Sequence, residues 1–180
     1  TRKDNYIKQS VFKVKESDYA VNLMSDADAE RFLGALSCER DKLIFKTMLL
    51  TGARIGEVLN LRIEDIPFPN GTRQLGVLRG IKSKGKKRDL YVPMSLIEEI
   101  DTFILEERSR IDTQHSYVFV AQQGVNCGNP MTYRGIYEVF QRAARDIGIH
   151  FRCHDIRHTF ITKLVESGMD ILRKRRYIRR

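Results

Sequence analysis

Arg54 stands two residues after a glycine in the segment Thr51-Gly52-Ala53-Arg54-Ile55-Gly56-Glu57. The segment reads as one helix ending, a glycine releasing the backbone, and a second helix starting. An arginine at a helix start can aim its fork at a phosphate beside the free helix N–H groups. Glu57, three residues on, can brace that start or pair with the guanidinium. Taken alone, a structural Arg54–Glu57 salt bridge is an equally good reading. A second group is His154-Asp155-Ile156-Arg157-His158. Helix positions three apart share a face, so His154 can move a proton where Arg157 holds an anion. The plain alternative is a surface or capping pair. The third is Lys82-Ser83-Lys84-Gly85-Lys86-Lys87-Arg88, a turn that can hold a lysine toward a DNA groove or a leaving oxygen, or simply a solvated loop.

Elements of the right kind surround these residues. Ser25 reads as the N-cap of a helix carrying Ala29, Phe32, Leu33 and Leu36. A second helix spans about Asp41 to Thr51, is apolar nearly all round, and ends at Gly52. A third runs from Ile55 to Leu61. Pro67-Phe68-Pro69-Asn70-Gly71 is a turn cluster. Leu75–Ile81 and Asp89–Val92 are strand-like and flank the lysine-rich turn. Pro93 closes the second strand, and Ser95 is expected to cap a helix from Leu96 to about Arg108. Tyr117–Val120 is a short apolar run. Thr132 opens a helix to about Gly148, and His154–Glu166 forms the last, stopped by Gly168. The fold class is α+β, mostly helical, with a small antiparallel sheet.

Length and charge narrow the partner. The 180 residues are 42% apolar and 31% charged, enough for a real core. The net charge of +9 is concentrated. Arg79–Arg88 and Arg173–Arg180 each hold six basic residues and no acid. Two such clusters favour a polyanion, and most often that is nucleic acid. A membrane surface would ask for an amphipathic helix rather than a glycine-punctuated, strand-flanked run, so no membrane partner is expected. No apolar run is long enough to span a bilayer, and no signal peptide is read at the start. Cys38, Cys127 and Cys153 make no C-x-x-C pair, which argues against a zinc ribbon or disulfide framework and suits reduced thiols in the cytoplasm. Cys153 beside His154 is discounted as a thiol nucleophile, because helix neighbours point about 100° apart. No metal and no cofactor are expected.

In this order and spacing the three groups are far more specific than any one alone. T-G-A-R-I-G-E-V-L-N-L, K-S-K-G-K-K-R-D-L-Y-V-P and H-D-I-R-H-T-F-I-T resemble the catalytic domain of the tyrosine recombinases, the phage integrase family. The likeness covers roughly residues 24–172. It implies helices around a three-stranded sheet that clasp duplex DNA, and metal-free, ATP-free strand exchange through a 3′-phosphotyrosyl intermediate. Carried onto this sequence, Arg54 and Arg157 would clamp the scissile phosphate. Lys84, nine residues before Pro93, would protonate the leaving 5′-oxygen. His154 would assist, and Glu57 would support the first arginine. Lys82, Lys86, Lys87 and Arg88 would bind DNA. The three sections are then 1–20 as a linker or arm, 21–172 as the catalytic domain, and 173–180 as a basic tail or part of an incomplete C-terminal segment.

Beyond Ile171 the resemblance stops. No L-G-H motif follows Arg157, and Tyr177 comes only 20 residues after it, short of the family's nucleophile. Tyr177 is therefore expected not to be the nucleophile, and this stretch by itself is expected to be inactive. It is also expected to be monomeric when free, with a tetramer on DNA for the full-length protein. The leading function is a recombinase of integrase or transposase type. The alternatives are a DNA-binding regulatory module without a nucleophile and, further off, a type IB topoisomerase.

Overall fold

The computed structural model describes residues 22–83 and 86–168. The arm at 1–20, Lys84, Tyr177, the basic tail and both expected domain boundaries lie outside the described residues. Among the described residues there are six α-helices: α1 (Asp26–Ala35), α2 (Glu39–Thr51), α3 (Ile55–Leu59), α4 (Met94–Glu106), α5 (Tyr133–Asp146) and α6 (Cys153–Glu166). Two strands, β1 (Leu75–Ser83) and β2 (Lys86–Pro93), pair antiparallel.

Local chemistry explains most of the boundaries. Ser25 caps α1, its hydroxyl accepting the Asp28 N–H at 3.0 Å. Thr132 caps α5 in the same way through Gly135. Gly52 ends α2 in the left-handed region at φ 61°, its N–H donating to the Met48 carbonyl. A Cβ there would run into the Phe160 ring, so both conformation and space call for glycine. Ser95 does not cap α4. The helix starts directly off β2, with Met94 N–H bonded to the Gln74 carbonyl and Pro93 in the N-cap position. That helix also stops at Glu106, before a separate 3₁₀ turn at Arg108–Arg110. Arg108 is buried there, donating to the carbonyls of Tyr117, Ile111 and His115, and the chain wraps around it.

The sheet among the described residues has two strands where the resemblance implied three. Tyr117 and Val120 make isolated bridges to Arg62 and Pro130 instead of joining β1 or β2. Within the hairpin the register shifts between Leu78 and Ile81, so that Ile81 faces Arg88 and Lys82 faces Lys87. This irregularity decides which hairpin side chains turn inward.

The core runs through all the helices and the inner face of the hairpin. At one end the Phe32 ring meets Phe45 at a tilt and Phe140 and Phe151 edge-on, with centroids 4.7, 5.4 and 4.8 Å away. These rings tie α1, α2 and α5 to the chain entering α6. α6 is tied to the chain just before α1 by its own buried Thr159, whose hydroxyl accepts the Met24 N–H at 2.9 Å and donates to the Asp155 carbonyl. No helix among the described residues is long and apolar enough to cross a membrane.

Candidate active site

The turn between α2 and α3 is the floor of the site. Glu57, in the first turn of α3, is 2% exposed. Its carboxylate accepts the Arg54 main-chain N–H at 2.8 Å, which satisfies a free donor at the helix start. It also meets the Arg54 side chain at 3.2 Å. Both readings of Glu57 are thus realised at once: it braces the helix start and it pairs with the guanidinium.

α6 delivers the second arginine. Arg157 is 6% exposed, and its Nη1 donates to the Gly52 carbonyl, in the turn that presents Arg54. Burial, then the Arg88 and Arg54 charges, push Arg157 down to about 10, against the pull of Glu57. It stays charged at neutral pH. The arginines from the two motifs, far apart in sequence, therefore share one electrostatic neighbourhood.

His154 lies on the exposed side of α6, with its ring 4.5 Å from that of His158 in an edge-on contact. Partial burial, His158, Arg157 and Arg54 all lower its pKa, and Asp155 opposes them. His154 is accordingly neutral at pH 7, able to accept a proton or to donate a hydrogen bond from its one ring N–H. Asp155 points inward and accepts the Arg152 N–H at 2.8 Å, bracing the start of α6 as Glu57 braces α3. Cys153 is buried and pushed up to about 11, so it offers no thiolate.

The hairpin side chains divide. Lys82 and Lys87 are exposed cross-strand partners on the outer face. The backbone of Lys86 lies in β2, while Lys84 is outside the described residues. Arg88 departs from the expectation of a DNA-facing residue. Its side chain is 9% exposed and forks onto Glu57, with Nε 3.0 Å from Oε1 and Nη2 2.5 Å from Oε2. Its place opposite buried Ile81 turns it inward. The sequence carried that signal: Arg88, Leu90 and Val92 alternate in step, and the latter two are core residues.

The result is one buried carboxylate amid the arginines Arg54, Arg88 and Arg157, with a neutral histidine nearby. Such an excess of fixed cation on main-chain supports suits an anion with several oxygens. Arg40, also missed from sequence, is structural: it pairs with Asp41 at 2.6 Å and donates to the Val120 carbonyl. It lines a separate polar cleft of about 850 Å³ with Cys38, Gln122 and Asn126, away from the arginine site. Among the described residues no three side chains gather as a metal-ligand group.

Residues 19–173 match the profile of the Phage integrase family. Transposase A from transposon Tn554 of Staphylococcus aureus is 29% identical over 168 residues, covering 91% of this chain and 46% of that protein. Tyrosine recombinase XerA of Pyrococcus furiosus is 34% identical over 132 residues, covering 73% of this chain and 43% of its own. The chain thus spans less than half the length of these curated relatives. The crystal structure of XerA recombinase superposes with a TM-score of 0.68 at 24% identity, covering 87% of this chain and 55% of that one. The Tn1549 transposon integrase in complex with transposon right end DNA gives 0.70 at 17% identity, covering 91% and 59%. These superpositions are evidence of a shared fold. With the family profile spanning the arginine turn, the hairpin and α6, the chain belongs to the phage integrase family and corresponds to its tyrosine recombinase catalytic domain.

Proposed function

We propose that this chain is the catalytic part of a site-specific DNA recombinase of integrase or transposase type, which cuts and rejoins duplex DNA through a 3′-phosphotyrosyl intermediate. One observation carries the reading: Arg157, brought in by a distant motif, donates to the Gly52 carbonyl in the same turn that presents Arg54. The likeness to a transposase, to XerA recombinases and to an integrase held on transposon-end DNA supports it.

In this reading the non-bridging oxygens of the scissile phosphate sit between Arg54 and Arg157. Negative charge builds on those oxygens in the pentavalent transition state, where fixed donors act most strongly. A tyrosine oxygen bonds to phosphorus, and its proton passes to neutral His154 or to solvent. The bond to the 5′-oxygen breaks, and that oxygen takes a proton from the Lys84 ammonium. Neutral His154 hydrogen-bonds the phosphate or relays a proton. Lys82, Lys86 and Lys87 lie along the DNA backbone. Rejoining reverses these steps, and the full-length protein works as a tetramer on DNA. The 180-residue stretch alone is monomeric when free.

Tyr177 is not the nucleophile in this proposal. An attacking phenol oxygen must come about 3 Å from phosphorus and in line with the leaving oxygen. Only Thr159 to Arg176 separate the Arg157-His158 pair from Tyr177, and α6 takes up the first part of that span. A duplex nicked near the cleavage site traps the covalent intermediate and tests both statements. Full-length protein should form an adduct that survives Tyr177→Phe. An adduct lost on Tyr177→Phe would overturn the assignment, and DNA binding with no adduct at all would leave a DNA-binding module.

A further inference from the structure

We propose that Arg88 is a positioning residue whose role is to offset the Glu57 charge, so that Arg54, while still meeting Glu57, keeps a net attraction for an anion. The proposal rests on the reading of Arg54 as a phosphate ligand, and it gives the inner face of the hairpin a task distinct from that of its lysines.

Glu57 is needed where it is, because it closes the start of α3 through the Arg54 N–H. A carboxylate so near the Arg54 guanidinium would also compete with any incoming anion. An isolated Glu57–Arg54 pair has no net charge, and a phosphate approaching it meets the carboxylate as well as the arginine. The geometry divides the two arginines. Arg88 takes both carboxylate oxygens in a fork from a side chain that is 9% exposed, whereas the Arg54 side chain is 34% exposed and meets Glu57 at 3.2 Å. The better-formed and deeper pair is Glu57 with Arg88. Arg54 is left as the more solvent-exposed of the two, where an anion can reach it.

The arrangement also fixes one strand to the site. β2 carries Arg88 opposite Ile81, below the tip of the lysine hairpin, and Glu57 sits in α3. The ion pair therefore sets where the hairpin leaves the domain relative to Arg54. The surplus positive charge adds to a cost at Arg157, whose protonated form is disfavoured first by burial and then by both Arg88 and Arg54. A bound phosphate would relieve that repulsion.

Inorganic phosphate binding to the full-length protein, followed through the ¹⁵N-labelled Arg54 Nε–H resonance, tests this without requiring DNA cleavage. Arg88→Gln should weaken phosphate binding at Arg54 about tenfold or more, as expected for losing a nearby compensating charge. Adding Glu57→Gln to that variant should recover most of the loss, since glutamine can still accept the Arg54 N–H while carrying no charge. Arg88→Lys, which keeps the charge without the fork, should fall between and serves if Arg88→Gln does not fold. Unchanged affinity in folded Arg88→Gln, or in Arg88→Lys if only that variant folds, overturns the proposal, as does a Glu57→Gln double variant with no recovery. Phosphate that leaves the Arg54 resonance unmoved in the unmodified protein overturns the phosphate-ligand reading beneath it. The covalent-adduct experiment judges the recombinase reading independently.

Discussion

Glu57 and Arg157 are both charged and both buried, and each is supported differently. Glu57 has arginines and a main-chain N–H, while Arg157 leans on the Gly52 carbonyl. Either support fails if one partner is removed, because a buried charge left alone is costly. His154 is the residue whose behaviour can be read most simply. Partial burial and the neighbouring His158, Arg157 and Arg54 place its folded pKa below the ordinary 6.5. Between that folded value and 6.5 the unfolded chain binds the extra proton, so the His154 contribution to stability is present above 6.5 and is lost as pH falls through the window. An NMR titration of the His154 ring should give a midpoint under 6.5, and phosphate should move it upward by adding negative charge beside the ring. A midpoint above 6.5 without phosphate would contradict the cationic surroundings. At this scale the pairs Arg54 with Glu57 and His154 with Arg157 were legible because each is set by spacing within one turn, whereas the meeting of the two pairs was expected only from the family resemblance. Arg88 was not, because the run from 82 to 88 reads as uniform charge unless its last residue is taken in step with Leu90 and Val92. Arg40 and Arg108 were hidden for another reason: their principal partners include main-chain carbonyls that carry no side-chain signature.

The α2–α3 junction matters most among the elements. It ends one helix, starts another, presents Arg54 and receives Arg157, all within Thr51–Glu57. Gly52 permits this by holding φ at 61° against the Phe160 ring of α6. Gly52→Ala should lower stability by on the order of 2 kcal/mol, through backbone strain and the clash with Phe160. The same change should displace the carbonyl that holds Arg157, so activity should fall further than stability accounts for. Urea unfolding combined with cleavage at a temperature where the variant is folded checks both. A fully folded Gly52→Ala protein with unaltered cleavage would show that the junction is not the support it is taken to be. Helices were legible as elements because their caps and apolar stripes are local. The small sheet was less so, since pairing depends on which segments meet in space: Tyr117–Val120 has the composition of a strand yet makes only single bridges.

Over the whole molecule the charge is arranged as well as abundant. The net charge is +9, and the exposed lysines Lys82 and Lys87 stand on the hairpin that also anchors the arginine site through Arg88. DNA binding should therefore weaken steeply with salt, each neutralised phosphate adding about 0.9 to the log–log slope. Lys82→Gln with Lys87→Gln should reduce that slope by roughly 1 to 2. A slope that does not respond to these changes would remove the hairpin from the DNA interface. The central claim is that Arg157 and Arg54 stabilise charge on the scissile phosphate. Its most direct measurement is single-turnover cleavage of a duplex carrying either an ordinary phosphate or a neutral methylphosphonate at the cleaved position, by full-length protein and its Arg157→Ala variant. The expected result is a loss of about a hundredfold or more on phosphate and a far smaller loss, about fivefold or less, on methylphosphonate, because the charge that Arg157 serves is then absent. Equal losses on the two substrates would contradict the phosphate clamp.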